Sequence, residues 1–162
     1  MPPVNPDPHR KQAPPPGEPW TDMLNSDRAR FDDSRWPLLI VDLPGTLSAQ
    51  GHEACLTALA DHLRRGDKLL LLMDLSRVGM VPLDQRWRQV EWFEAHETLL
   101  RERLLGTALI ITSPVVRLAI SAMLYFKPMP LPLATFNNRA LAEAWVGERL
   151  LEAKSTQTRT EG

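Results

Sequence analysis

The sequence predicts an α/β domain built on a mostly parallel sheet of four to five strands with about four helices. Three observations carry that reading. Short apolar runs recur at Trp36–Leu43, Leu69–Met73 and Thr107–Thr112. They are near-continuously apolar rather than alternating, which suits strands buried on both faces of a parallel sheet. Between them lie segments of helical period joined by short links, the pattern of βαβ units.

The chain of 162 residues is long enough for one domain with a sizeable core. Residues 1–25 hold eight of the fifteen prolines and little apolar content, so they read as a disordered tail with polyproline II character. Within it Pro14-Pro15-Pro16 is more simply a solvated spacer than a docking motif, and Trp20 either packs back on the domain or meets a partner. The domain proper runs over 26–153, and the polar 154–162 reads as a frayed end.

Ala29-Arg30-Phe31 suits a short edge strand, followed by a turn at Asp32-Asp33-Ser34. Trp36–Leu43 is a strand whose Pro37 sits near its start, where a missing N–H costs least. Ser48 is placed to cap the next helix through its hydroxyl. Leu56, Leu59, Ala60 and Leu63 then form one stripe at i, i+3, i+4, i+7, and Gly66 supplies a left-handed exit. Lys68–Met73 is the central strand. It ends at Asp74 and passes into a loop containing Gly79 and Pro82. A long helix is expected over Asp84–Leu105, stopped by Gly106. The strand Thr107–Thr112 follows. Ser113 and Pro114 form a strong helix start, with Val115, Ala119, Ala122 and Phe126 as the expected inward stripe. Leu131–Phe136 is a proline-limited strand towards an edge. Asn137 or Asn138 caps the last helix, with Leu141, Ala144, Trp145 and Leu151 facing inward.

Three stretches resemble the STAS fold of anti-sigma-factor antagonists and sulfate-transporter tails, and more closely its stand-alone, CRAL-TRIO-related bacterial members. They are LLLMDLSRVGMV at Leu70–Val81, TSPVVRLAISAMLYFKP at Thr112–Pro128 and FNNRALAEAW at Phe136–Trp145. The resemblance covers about residues 29–153. It implies a regulatory protein-interaction module rather than an enzyme. The family's antagonists carry an Asp-Ser-Ser-Gly phosphoacceptor motif, where this chain has Pro82-Leu83-Asp84-Gln85. The phosphoserine switch is therefore expected to be absent, with Ser76 the nearest loop hydroxyl. Asp84 reads as an ordinary N-cap, its charge favoured by the helix dipole.

Composition narrows the function further. A net charge of −1 gives no field to draw in nucleic acid or an anionic membrane. Cys55 is the one cysteine, which rules out an intrachain disulfide and a thiolate metal cage. The amino terminus lacks a secretory h-region, and no apolar run reaches membrane length. The expectation is a cytoplasmic protein. Asp42 and Asp74, at strand ends, evoke a phospho-receiver, but Lys127-Pro128 falls in the wrong order for one. Both aspartates read better as strand terminators that accept loop N–H groups. His52 and His62 are not at ligand spacing, and His96 sits among apolar residues. There is no Gly-rich phosphate loop and no nucleophile–base set. No catalytic residue, metal site or cofactor is expected.

The aromatic residues are more informative. One helix cannot point Trp87, Val90, Trp92 and Phe93 at a single neighbour, so part of that face is expected on the surface. The expected partner-binding set is Ser76, Arg77, Gly79, Asp84, Arg86, Trp87, Arg88 and Trp92, with Trp87 and Trp92 as anchors. Homodimerisation through the same helix is one form of that association. The alternative is a binder of lipid or another apolar small molecule, held by Phe93, Met123, Phe126 and Met129 between the 84–105 helix and Met123–Leu133.

Overall fold

The computed structural model describes residues 27–129 and 131–161. The expectations for the Pro-rich segment, including Pro14-Pro15-Pro16 and Trp20, lie outside them. Two strands open the described chain, β1 (Arg30–Arg35) and β2 (Leu38–Asp42), paired antiparallel. Asp32 and Trp36 build the turn between them. The Asp32 carboxylate accepts the Ser34 N–H at 2.9 Å, and the Trp36 N–H donates to the Asp33 carbonyl at 3.0 Å. The Trp36–Pro37 peptide is cis. The expected turn thus lies within an irregular stretch of β1 rather than after it.

From β2 onwards every strand is parallel to its neighbour. The remaining strands are β3 (Leu69–Asp74), β4 (Leu104–Ile110) and β5 (Leu133–Phe136), and the sheet order is β1-β2-β3-β4-β5. Sequential order with right-handed crossovers places successive connecting helices on one face. Those helices are α1 (Ala49–Leu63), α2 (Leu83–Ala95), α3 (Glu97–Arg103) and α4 (Pro114–Phe126). The last helix, α5 (Arg139–Glu161), covers the other face.

The alternation of side chains along each strand sorts the core into these two sides. Leu39, Val41, Leu71 and Leu109 point towards α1–α4. Leu38, Ile40, Leu70, Leu72, Ala108 and Ile110 point towards Ala142 and Val146 of α5. Leu69 to Leu72 are all buried, so β3 is the interior ribbon that its leucine run predicts. Helix α1 also follows its sequence closely. Ser48 Oγ accepts the Gly51 N–H at 3.0 Å, the expected stripe is buried, and Gly66 adopts φ +95°.

Three expectations change. The long 84–105 helix is two helices, broken at His96. There the imidazole Nδ1 and the backbone N–H both reach the Trp92 carbonyl, at 2.9 and 3.0 Å, and the ring stacks on the Trp92 indole at 4.5 Å. A side chain that competes for a helical carbonyl in this way favours a break. Gly106 does not stop the helix either; it lies inside β4. A Cβ there would come within 3.2 Å of the Trp145 ring and 3.3 Å of Leu70, so glycine is what lets α5 approach the sheet.

The inward faces of α4 and α5 are also rotated. In α4 the buried residues are Val116, Ala119 and Ile120, while Val115 and Phe126 are exposed. The whole helix is apolar, so spacing alone leaves two stripes to choose from, and the branched Val116 and Ile120 pack on the sheet. In α5 the small Ala142 and Val146 face inward, with Trp145 and Leu150 beside them. Leu141 and Leu151 are on the outside. Asn138 caps this helix, its Oδ1 accepting the Leu141 N–H at 3.0 Å. The helix continues to Glu161, through the stretch expected to fray.

Candidate functional site

Parallel strands deliver their carboxyl ends, and the loops that follow, to one edge of the sheet. Here that edge carries Asp42 of β2 and Asp74 of β3, paired in register. Two adjacent carboxylates need a compensating charge, and Arg139, at the start of α5, supplies it. Its Nη1 donates to Asp42 Oδ1 at 3.1 Å and to Asp74 Oδ2 at 3.4 Å. The other Asp74 oxygen accepts the Ser76 N–H at 2.9 Å, as the sequence suggests. Asp42, by contrast, is held by Arg139 instead of a loop amide. The guanidinium thus stands where a phospho-receiver would need a cation, and it ties α5 to the strand ends. Sequence reasoning missed Arg139. The only available signal was the demand of two neighbouring strand-end aspartates for a cation.

Replacing Arg139 with methionine is expected to lower stability by about 1–2 kcal/mol at neutral pH. The effect is modest because Arg139 and Asp42 keep 41% and 39% of their side-chain exposure, so solvent screens the pair. Urea denaturation of wild type and variant at neutral pH measures the difference.

The loop after β3 leaves this edge exposed but pinned. Leu75 and Val78 are buried beneath it. The Thr112 hydroxyl donates to the Ser76 carbonyl at 3.0 Å, and the Thr46 hydroxyl donates to the Met80 carbonyl at 3.1 Å. Ser76, Arg77 and Gly79 are exposed. Pro82, not Asp84, is the N-cap of α2, and it makes no side-chain cap bond. Asp84 lies in the first turn, where its charge still complements the dipole.

Trp87 and Trp92 separate on α2. Trp87 is 52% exposed and Trp92 only 3%, so Trp92 belongs to the core and is not available as a surface anchor. Arg88 is engaged by Glu53, Nη2 to Oε2 at 3.1 Å. That guanidinium holds the Glu53 carboxyl below its ordinary value, by hydrogen bonding first. Arg86 is half-buried.

The surface partners of Trp87 come from α4. The rings of Trp87 and Phe126 lie 5.8 Å apart, and Phe126 meets Tyr125 edge-on at 5.8 Å. Tyr125 is 84% exposed, Leu118 73% and Phe126 66%. Leu83 lies one turn before Trp87 and is also exposed. Two helices therefore join an aromatic ridge across their outer faces. Phe126 sits on this ridge and not in the interior, contrary to its assignment as a ligand contact.

Beneath the ridge is a cavity of about 160 Å³. Its walls include Leu71, Leu109, Phe93, Met123 and Met129, and its rim includes Thr46 and Met80. Three of the four residues expected to hold an apolar ligand thus line one space. Cys55 lines it too, and burial pushes its thiol up to about 11. The thiolate is the reactive form, so iodoacetamide at neutral pH should leave Cys55 unmodified in the folded protein and alkylate it promptly in urea. Intact mass measured against time distinguishes the two.

Among the described residues, no group of three or more His, Cys, Asp or Glu could hold a metal ion. No helix there is long and apolar enough to cross a membrane.

A five-stranded, mostly parallel sheet with an antiparallel first strand and one lone covering helix defines an α/β domain of STAS-like architecture. The sequence matches the SpoIIAA-like family over residues 38–147, and the chain belongs to that family. Among solved structures, it is similar to an uncharacterized DUF3478-family protein with a SpoIIAA-like fold from Shewanella loihica PV-4. That likeness has 16% identity and a TM-score of 0.55, covering 73% of this chain and 91% of that one. No curated protein matches the sequence.

Proposed function

We propose that this domain is a non-enzymatic regulatory module that binds a protein partner through the outer faces of α2 and α4. The observation that carries the reading is the exposed ridge of Trp87, Phe126 and Tyr125. Large apolar side chains left together on a surface mark interaction sites, and aromatic residues at the centre of such patches dominate binding energy. The exposed loop residues Ser76, Arg77 and Gly79, with Asp84 behind them, form a polar border. The absence of a serine at Pro82-Leu83-Asp84-Gln85 supports constitutive recognition rather than a phosphoserine switch. Cytoplasmic location remains part of the proposal. Affinity purification with wild type and with Trp87→Ser, alongside light scattering of each, tests it. A partner, or a homodimer, that is lost from the variant supports the reading; unchanged partners and assembly state refute it.

The cavity favours a second reading, that the domain also takes up an apolar small molecule. Its volume is about half that of the smallest drug-sized sites, which begin near roughly 300 Å³. It fits one compact apolar group better than a whole lipid. Native mass spectrometry of freshly purified protein addresses this: a bound mass supports occupancy, and a clean apo mass counts against it.

A further inference from the structure

Three buried side-chain atoms among the described residues have no hydrogen-bond partner: Arg86 Nε, Arg103 Nε and Thr107 Oγ1. Only Thr107 lines the cavity. It lies in the middle of β4, in register between Leu71 of β3 and Leu133 of β5, and is 5% exposed. Its backbone N–H is used, donating to the Pro132 carbonyl at 2.9 Å. Its hydroxyl is left over.

Nothing local calls for that hydroxyl. Valine has the same shape and equal or better strand propensity, and its neighbours here are leucines. A buried hydroxyl without a partner carries a desolvation cost that valine would avoid. The side chains of His52, Gln89, Gln85 and Thr46 in the lining each make a hydrogen bond. His52 Nε2 and Gln89 Oε1 are 3.2 Å apart, Gln85 Nε2 donates to the Leu47 carbonyl at 2.6 Å, and the Thr46 hydroxyl serves Met80. Among the buried side-chain nitrogen and oxygen atoms of this largely apolar lining, Thr107 Oγ1 alone lacks a partner.

We propose that the cavity is a binding site for a small uncharged molecule, one ring or a short chain in size, that carries one hydroxyl or carbonyl group and places it on Thr107 Oγ1. The inference rests on the apolar-ligand reading and specifies the ligand that reading left open. The size follows from the volume, since a dry apolar cavity of roughly 150 Å³ accepts a single benzene-sized ring. The single polar group follows from Thr107, whose hydroxyl both donates and accepts. The absence of charge follows from the lining, which among the described residues offers no Asp, Glu, Lys or Arg.

Phenol and benzene are the probes, titrated into the full chain while the methyl resonances of Met73 and Met123 are followed. Phenol should bind the wild type saturably and at least as tightly as benzene. Thr107→Val should weaken phenol by roughly tenfold, the equivalent of one lost hydrogen bond, and leave benzene within about twofold of its wild-type affinity, since its burial is unchanged. Thr107→Ser, which keeps the hydroxyl, should retain phenol binding and serves if the valine variant does not fold. Equal phenol affinity in wild type and Thr107→Val, or benzene binding without phenol binding, overturns the role of Thr107 while leaving an apolar site standing. Failure of both probes to bind the wild type overturns the site itself.

Discussion

Replacing Trp92 with alanine is expected to destabilise the domain by about 3–5 kcal/mol, the range for removing a buried aromatic side chain. The indole is 3% exposed, stacks on His96 and meets Phe93 edge-on at 5.9 Å. It belongs to the cluster that joins α1, α2 and α3 to β3. Its loss enlarges a cavity that it already lines, and the cost of such a truncation rises with the volume left empty. The His96 ring loses its platform as well, which loosens the break between α2 and α3. Thermal denaturation should show Tm lower by roughly 10–20 °C for a domain of this size. A fall of a degree or two would mean that Trp92 is not a core residue.

Trp87→Ser should behave in the opposite way. The side chain is half out of the protein and its removal opens no cavity, so Tm should stay within about 2 °C of wild type, as for most surface substitutions. Affinity for the partner, however, should fall by at least about thirtyfold, corresponding to the roughly 2 kcal/mol that defines a binding hot spot. Phe126→Ser should reproduce part of that loss, because its ring supports Trp87 at 5.8 Å. The double variant should lose less than the sum, since contacting residues are not additive. Titration calorimetry of each variant against the purified partner measures the coupling. Two tryptophans five residues apart on one helix thus differ in burial, and they are expected to separate stability from recognition.

That separation shows what the sequence could and could not reveal. At about 100° per residue, positions 87 and 92 are roughly 140° apart around a helix. Spacing therefore says that both cannot face the same neighbour, but not which one faces out. Strand β3 was legible because Leu69–Leu72 leave no polar face to present to water. Helix α1 was legible because its apolar residues occupy one stripe and Ser48 and Gly66 mark its ends. Helix α4 was not, because Val115 and Leu118 compete with Val116 and Ile120 for the sheet, and packing against Leu109 and Ile111 decides the matter. The break at His96 escaped notice because it depends on a side chain turning back to the Trp92 carbonyl. Arg139 reaches Asp42 across 97 residues of sequence, a distance over which no local pattern operates. The cavity is a property of how α2, α4 and the sheet meet, so only its apolar lining was visible beforehand.

The outer ridge of α2 and α4 can be interrogated at a single atom's range by photo-crosslinking. A photoreactive phenylalanine analogue at position 87 should yield one saturable adduct, displaced by excess wild type and far less by excess Trp87→Ser. The same analogue at Glu148, on the opposite side of the sheet, should yield none. Equal labelling from both positions, or an adduct from 148 alone, would contradict a recognition surface centred on Trp87.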